Sequence, residues 1–127
     1  MYRVASGTPW EEKYGYARAV AYGPHVAIAG TTATVNGTVI GVGDPYVQTM
    51  VAFGIAMDAL RRCGLDSQHV VRTRMYVIDI TDADEVGRAH RELFGATPPA
   101  ASMLEVNRLM HPDHLVEVEI DAYAEGR

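Results

Sequence analysis

The run Leu115-Val116-Glu117-Val118-Glu119-Ile120-Asp121 places three carboxylates at every second position of an apolar stretch. If it is a strand, Glu117, Glu119 and Asp121 share one face, where carboxylates can move protons or balance cations. Candidate cations alternate in the same way in HVVRTRMYVIDI (His69 to Ile80), where Arg72 and Arg74 flank Thr73. Buried charges must find partners, so Arg72 and Arg74 are expected to pair with those acids. Three other stretches have the look of chemistry. His111-Pro112-Asp113-His114 has the residues of a metal pair, but a proline between the histidines makes it a turn joining two strands, and no metal is expected. GVGDP is glycine-rich before a helix, yet it lacks both phosphate-cradle patterns and is read as a turn. Cys63 has no placeable His or Asn partner and is read as a packed small side chain, while Trp10 packs at a cleft mouth or stacks on a ligand ring.

These residues need a scaffold, and 127 residues allow one domain, 1–127, with a real core. The net charge of −5 argues against a surface built to neutralise phosphates, so nucleic acid is a disfavoured partner. No apolar run is long enough for a membrane span, and MYRVASGTPWEEK lacks the apolar stretch of a signal peptide, so a cytoplasmic protein is expected. One cysteine cannot form an internal disulfide, which fits a reducing compartment.

ARAVAYG (17–23) and HVAIAGTT (25–32) form a hairpin across a Gly-Pro break, and Asn36-Gly37 predicts a small ribbon from Val35 and Thr38 to Ile40. Asp44 caps a helix whose first position is Pro45. Its core stripe is read as Val47, Val51, Ile55, Ala59 and Leu60, ending at Gly64. A strand follows, with Val71, Thr73, Met75 and Val77 on its core face. Thr81 or Asp82 caps a second helix with the stripe Val86, Ala89, Leu93 and Phe94. After Thr97-Pro98-Pro99 come strands 100–106 and 115–124. The class is α+β in the order β-β-(β)-α-β-α-β-β.

Two helices cover one face of such a sheet and leave nothing for the other, which carries alanines beside arginines and acids. Burial of that face in a homo-oligomer resolves the difficulty, and clefts between subunits become the natural sites for a small-molecule ligand.

The element order, together with PWEEKYGYARAV, VAIAGTT, DPYVQT, VVRTRMYVIDI, FGATPPAAS and LVEVEI, resembles the RidA/YjgF family of reactive-intermediate deaminases, also called L-PSP endoribonucleases. The resemblance runs from about Ser6 to Ala124. It implies a chorismate-mutase-like fold and a homotrimer whose sheets form a central barrel, with helices outside and clefts between subunits. It implies no cofactor. In the deaminase branch a glutamate on the last strand is linked to the attacking water, and Glu117 falls on it. The strand after the prolines carries an arginine that grips the carboxylate of an imino acid, and Ala101 falls on that position; Met103 falls on a neighbouring pocket cysteine. Tyr16, and Gly30 with Thr31, match positions lining the cleft, and Phe94 falls near its rim.

A guanidinium offers a planar fork to a carboxylate and a methyl offers none, a difference of roughly 2–5 kcal/mol in a desolvated site. The expected function is hydrolysis of a C=N bond in an imine or enamine other than the usual 2-imino acids, with Glu117 as its base or as a structural counter-charge. Arg72, Arg74 and Arg18 are the cations that could replace the missing arginine. The alternative is a non-catalytic small-molecule binder on the same scaffold, and the acidic balance counts against a ribonuclease.

Overall fold

The computed structural model describes residues 1–126. Among them a six-stranded sheet runs in the order β1-β2-β3-β8-β6-β7. Its strands are β1 (Tyr2–Val4), β2 (Ala19–Tyr22), β3 (His25–Thr31), β6 (Val70–Val77), β7 (Ala100–Glu105) and β8 (Val116–Tyr123). A separate ribbon pairs β4 (Thr34–Val35) with β5 (Thr38–Val39), and Asn36 and Gly37 both adopt the positive φ that a two-residue hairpin turn requires. The helices are α1 (Pro9–Tyr14), α2 (Pro45–Arg62) and α3 (Ala83–Phe94). The fold is α+β with α2 and α3 on one face of the sheet, as the residue pattern requires. No described helix is long and apolar enough to cross a membrane.

Period-two alternation builds the core from the sheet side. Val116, Val118, Ile120 and Ala122 are buried, as are Val26 and Ile28 of β3 and Met75 and Val77 of β6. Phe53 of α2 and Phe94 of α3 join this core and meet each other edge to face, with ring centroids 5.1 Å apart. Asp44 caps α2 by accepting Val47 N–H at 3.0 Å.

Four local expectations are corrected. The buried residues of α2 are Gln48, Thr49, Ala52, Phe53, Ala56, Met57, Ala59 and Leu60, so Ala59 and Leu60 lie in the core as expected, while Val47, Val51 and Ile55 are half-exposed. The helix sits close to the sheet, and small side chains face it there. In β6 the register shifts between Val70 and Arg72, so Val70 enters the core and Val71 turns outward. Asp82 makes no side-chain cap; Asp79 instead accepts Thr81 N–H at 2.9 Å at the start of a short 3₁₀ turn that runs into α3. Finally, β1 and α1 lie in stretches that show neither strand nor helical periodicity and were not expected.

The face away from α2 and α3 carries Arg72, Arg74, Tyr76, Glu117, Glu119 and Asp121, all half-exposed. Arg74 pairs with Asp121 at 3.1 Å, and the Tyr76 hydroxyl donates to Glu119 at 2.7 Å. Among the described residues Arg72 makes no ion pair.

Candidate functional site

Arg18 enters the site just before β2. Its N–H donates to the Val4 carbonyl at 2.8 Å and its own carbonyl accepts from Ala29 N–H at 2.9 Å, so β1 and β3 hold it from both sides. The side chain is only 7% exposed. Nη1 donates to the Gly30 carbonyl at 2.7 Å and to Thr31 Oγ1 at 2.8 Å, and Thr31 Oγ1 donates onward to the Ala29 carbonyl. The guanidinium carbon stands 5.7 Å from the Tyr16 ring centroid, within cation–π range.

Glu117 pairs in register with Tyr76 and so points away from the helices. It comes so near β3 that a β-carbon on Gly30 would overlap its Oε2 and lie 3.1 Å from its carboxyl carbon. The register of β3 shifts between Ile28 and Thr31, the bulge that contains Gly30. Burial pushes the Glu117 carboxyl above the usual carboxylate range; Glu119 adds to the rise and Arg18 opposes it. Among the described residues no hydrogen bond or ion pair engages this carboxyl.

The third element is the turn between β7 and β8. Gln48 is fully buried in α2; it accepts Leu115 N–H at 2.8 Å and donates to the Asp113 carbonyl at 2.8 Å, tying that turn to the helix. His114, 6% exposed, holds Thr34 Oγ1 at 2.7 Å through Nε2, while its Nδ1 has no partner among the described residues. Burial, and secondarily His111, lower the His114 pKa and keep the ring neutral at pH 7. His111 Nδ1 accepts Asp113 N–H at 3.0 Å, so the first histidine serves the turn and the second the β4–β5 ribbon.

Arg18, Gly30, Thr31, Thr34, His114 and Glu117 line a cavity of about 1040 Å³. Its apolar walls are Trp10, Tyr14, Tyr16, Val35, Ile55 and Met110. Trp10 and Tyr14 stack in parallel, 5.6 Å between centroids. Beneath the α1 end, Glu11 is 8% exposed and accepts from Ser6 N–H at 3.0 Å, from the Ser6 hydroxyl and from Thr8 Oγ1 at 2.9 Å. Burial would raise the Glu11 pKa, but these hydrogen bonds together with Arg18 bring it below its usual value. Glu11 is thus a fixed anion beside the cavity. The size and the mixture of apolar wall with a few polar groups suit a small organic molecule.

Of the residues singled out in the sequence, Tyr16, Gly30, Thr31 and Glu117 meet in this cavity, and Trp10 stands in its wall. Phe94 does not reach it: α3 turns the ring inward, where it is 1% exposed against Phe53 and His90. Ala101 and Met103 pair in register with Thr73 and Met75, on the helix-covered face of the edge strand β7. Glu117 lies on the opposite face with β6 between, so one chain does not bring all three together. Of the three candidate cations, Arg18 lines the cavity and Arg72 and Arg74 do not. The roles of His114, Thr34 and Gln48 were not read from the sequence. The one hint was Gln48, a polar side chain inside an apolar helical row.

The family model described as Endoribonuclease L-PSP matches residues 10–124. An uncharacterised protein of Streptomyces coelicolor is 49% identical over 121 residues, covering 95% of this chain and 90% of its own. A RutC family protein of Pyrococcus abyssi is 31% identical over 112 residues, 87% of each chain. Among solved structures, Rv2704 of Mycobacterium tuberculosis, a member of the YjgF/YER057c/UK114 family, superposes with a TM-score of 0.88 at 42% identity, covering 97% of this chain and 98% of its own. The Escherichia coli YjgF gene product shares the fold, with a TM-score of 0.80 at 23% identity over 97% of this chain and 93% of its own. Matched along nearly its whole length by the family model and by relatives at this identity, the chain belongs to the RidA/YjgF family, whose model carries the name Endoribonuclease L-PSP.

Proposed function

We propose that the chain binds a small molecule in the cavity at Glu117 and hydrolyses a C=N bond there. The observation that carries this reading is the Glu117 carboxyl itself: partly desolvated, raised in pKa, without a hydrogen-bond partner among the described residues, and open to a cavity large enough for a substrate. A carboxyl whose pKa is raised by burial is a better proton acceptor than a free one. As water oxygen bonds to the imine carbon, Glu117 takes a proton from the water and returns it to the imine nitrogen, giving a carbinolamine. Glu117 then takes the hydroxyl proton and passes it to nitrogen, the C–N bond breaks, and a carbonyl compound and ammonia leave. Imine plus water gives carbonyl plus ammonia, and Glu117 ends as it began. Tyr16, Gly30 and Thr31 would line the substrate's path.

The assembly on this reading is a homotrimer with α2 and α3 outward. The half-exposed sheet face with its Arg74–Asp121 pair supports it, because a face of that composition is covered by no described element. A monomeric mass by light scattering would refute it.

A non-catalytic binder is the second reading, favoured by Ala101, which supplies no cation to any cleft. Freshly generated imines, with and without a carboxylate, separate the two. Faster release of ammonia than in buffer, lost in Glu117→Gln with the assembly intact, is the expected result. Ligand binding without turnover of any imine selects the binder.

A further inference from the structure

Among the side chains that line the cavity only Arg18 and Glu117 are charged at neutral pH, since His114 is held neutral. Arg18 is 7% exposed and makes no ion pair among the described residues; Glu11 and Glu117 act on it only at a distance. A buried cation without a counter-ion is costly, and a ligand that enters the cavity can supply the anion. All hydrogen bonds of the guanidinium leave from Nη1, to the carbonyls of Ala29 and Gly30 and to Thr31 Oγ1. Nε and Nη2 make none among the described residues, and neither is sealed from solvent. These two nitrogens form one edge of the guanidinium, whose parallel N–H bonds match the two oxygens of a carboxylate. Gly30 and Thr31 brace the remaining nitrogen, and the Tyr16 ring stands 5.7 Å from the guanidinium carbon, so the free edge is fixed in place before a ligand arrives.

We infer that Arg18 is the anion-binding residue of this cavity, and that its Nε and Nη2 take the carboxylate of a ligand whose apolar body lies against Trp10, Tyr16 and Ile55. This deepens the function proposed above and rests on the cavity being its binding site. The anchor and the proton acceptor come from one chain and meet at one residue: Arg18 holds the Gly30 carbonyl, and Glu117 occupies the space where a Gly30 side chain would be. A carboxylate on Arg18 brings the neighbouring carbon of the ligand, the C=N carbon of an imino acid, toward Glu117. Ala101 supplies no cation and lies on the other sheet face, so the anchor is on the β2 side of the sheet and not on β7. Among the described residues no lysine and no second arginine lines the cavity, and one guanidinium beside Glu117 and Glu11 balances a single negative charge. A carboxylate therefore suits it and a phosphate dianion does not. The volume of about 1040 Å³ with its wall of Trp10, Tyr14, Tyr16, Ile55 and Met110 leaves room for an aromatic or branched body.

Phenylpyruvate and its methyl ester make the test, because they share the aromatic body and the keto group and differ in the free carboxylate. Calorimetry on the full chain is expected to show the acid bound about tenfold or more tighter than the ester, the worth of hydrogen bonds to a charged group. In heteronuclear NMR spectra of the unaltered chain, the Arg18 Nε–H resonance should move on adding the acid and stay in place with the ester. Arg18→Met should erase the preference, Arg18→Lys should keep only part of it, and Glu117→Gln should retain it in full. Equal binding of acid and ester, an Arg18 resonance that the acid does not move, or a preference that survives Arg18→Met or is lost in Glu117→Gln overturns the inference. So does a loss of affinity for acid and ester alike in Arg18→Lys, which is what a bracing role alone would give. The hydrolytic reading fails separately, when the acid binds at Arg18 and no imine is turned over. Turnover no faster for carboxylate-bearing imines than for carboxylate-free ones leaves hydrolysis standing and overturns this inference.

Discussion

Gly30 and Glu117 are so close across β3 and β8 that a methyl group on the glycine and the carboxyl oxygen of the glutamate would claim the same space. Gly30 does not have the positive φ that reserves a position for glycine, so its lack of a side chain is explained by this approach alone. The displaced atom in any substitution is the far end of a flexible side chain. The backbone need not move.

Gly30→Ala should therefore separate function from stability. Chemical denaturation is expected to give a change within about 1 kcal/mol, the range of a substitution that forces no backbone shift. Turnover of an imine should fall about a hundredfold, because a displacement of about 1 Å at a reacting group costs that much. A fully active Gly30→Ala variant would show that the carboxyl position is not critical.

Glu117→Gln should stabilise the folded chain at neutral pH. Burial raises the carboxyl's pKa in the folded state, so the folded form binds the proton more tightly than the unfolded form does. Stability then falls as pH rises from the unfolded value through the folded one, and the full penalty is present above both. The variant's advantage in thermal midpoint should be present at pH 8 and vanish below about pH 4, near the ordinary glutamate value. An advantage that persists in acid would assign it to packing.

Legibility in the sequence followed the strength of each periodic signal. In β8 the strict alternation of Val116, Val118, Ile120 and Ala122 with acids predicted both the strand and the place of Glu117 on the face away from the helices. In α2 the same reasoning placed Ala59 and Leu60 correctly but chose Val47, Val51 and Ile55 for the first turns, where the buried residues are Gln48, Thr49, Ala52, Phe53 and Ala56. Hydrophobicity alone does not register that a helix lying close to a sheet favours small side chains. A one-residue bulge was equally invisible at Val71, since alternation read through it gives a consistent but wrong face. At the site, Arg18 meets Gly30 because β2 folds back on β3, and His114 meets Thr34 across a separation of 80 residues. Encounters of that kind are made by topology and leave no local pattern.

Gln48→Met keeps the length of the side chain and removes its hydrogen bonds. Leu115 N–H and the Asp113 carbonyl would then be left unpaired beneath α2. A loss of about 2–4 kcal/mol is expected, from roughly 1–3 kcal/mol for each buried group left unsatisfied. Urea denaturation measures it, and amide exchange at Leu115 should quicken beyond the global change. A neutral result would mean that water takes over both groups and that the turn carrying His114 does not depend on the helix.

Arg18→Met and Arg18→Lys divide the arginine's two roles. The positive charge favours ionised Glu117, so its removal in Arg18→Met should raise the Glu117 pKa further. The acid limb of the pH–rate profile is expected to move to higher pH. Arg18→Lys keeps the charge and should keep the limb near its original place. Both variants should lose about 1–3 kcal/mol of stability, because a methionine cannot replace the donors at the Gly30 carbonyl and Thr31 Oγ1 and a lysine cannot reproduce their planar geometry. If Arg18→Met destabilises the chain and leaves the acid limb unmoved, Arg18 only braces the bulge at Gly30, and the ionisation of Glu117 is governed by its burial and by Glu119.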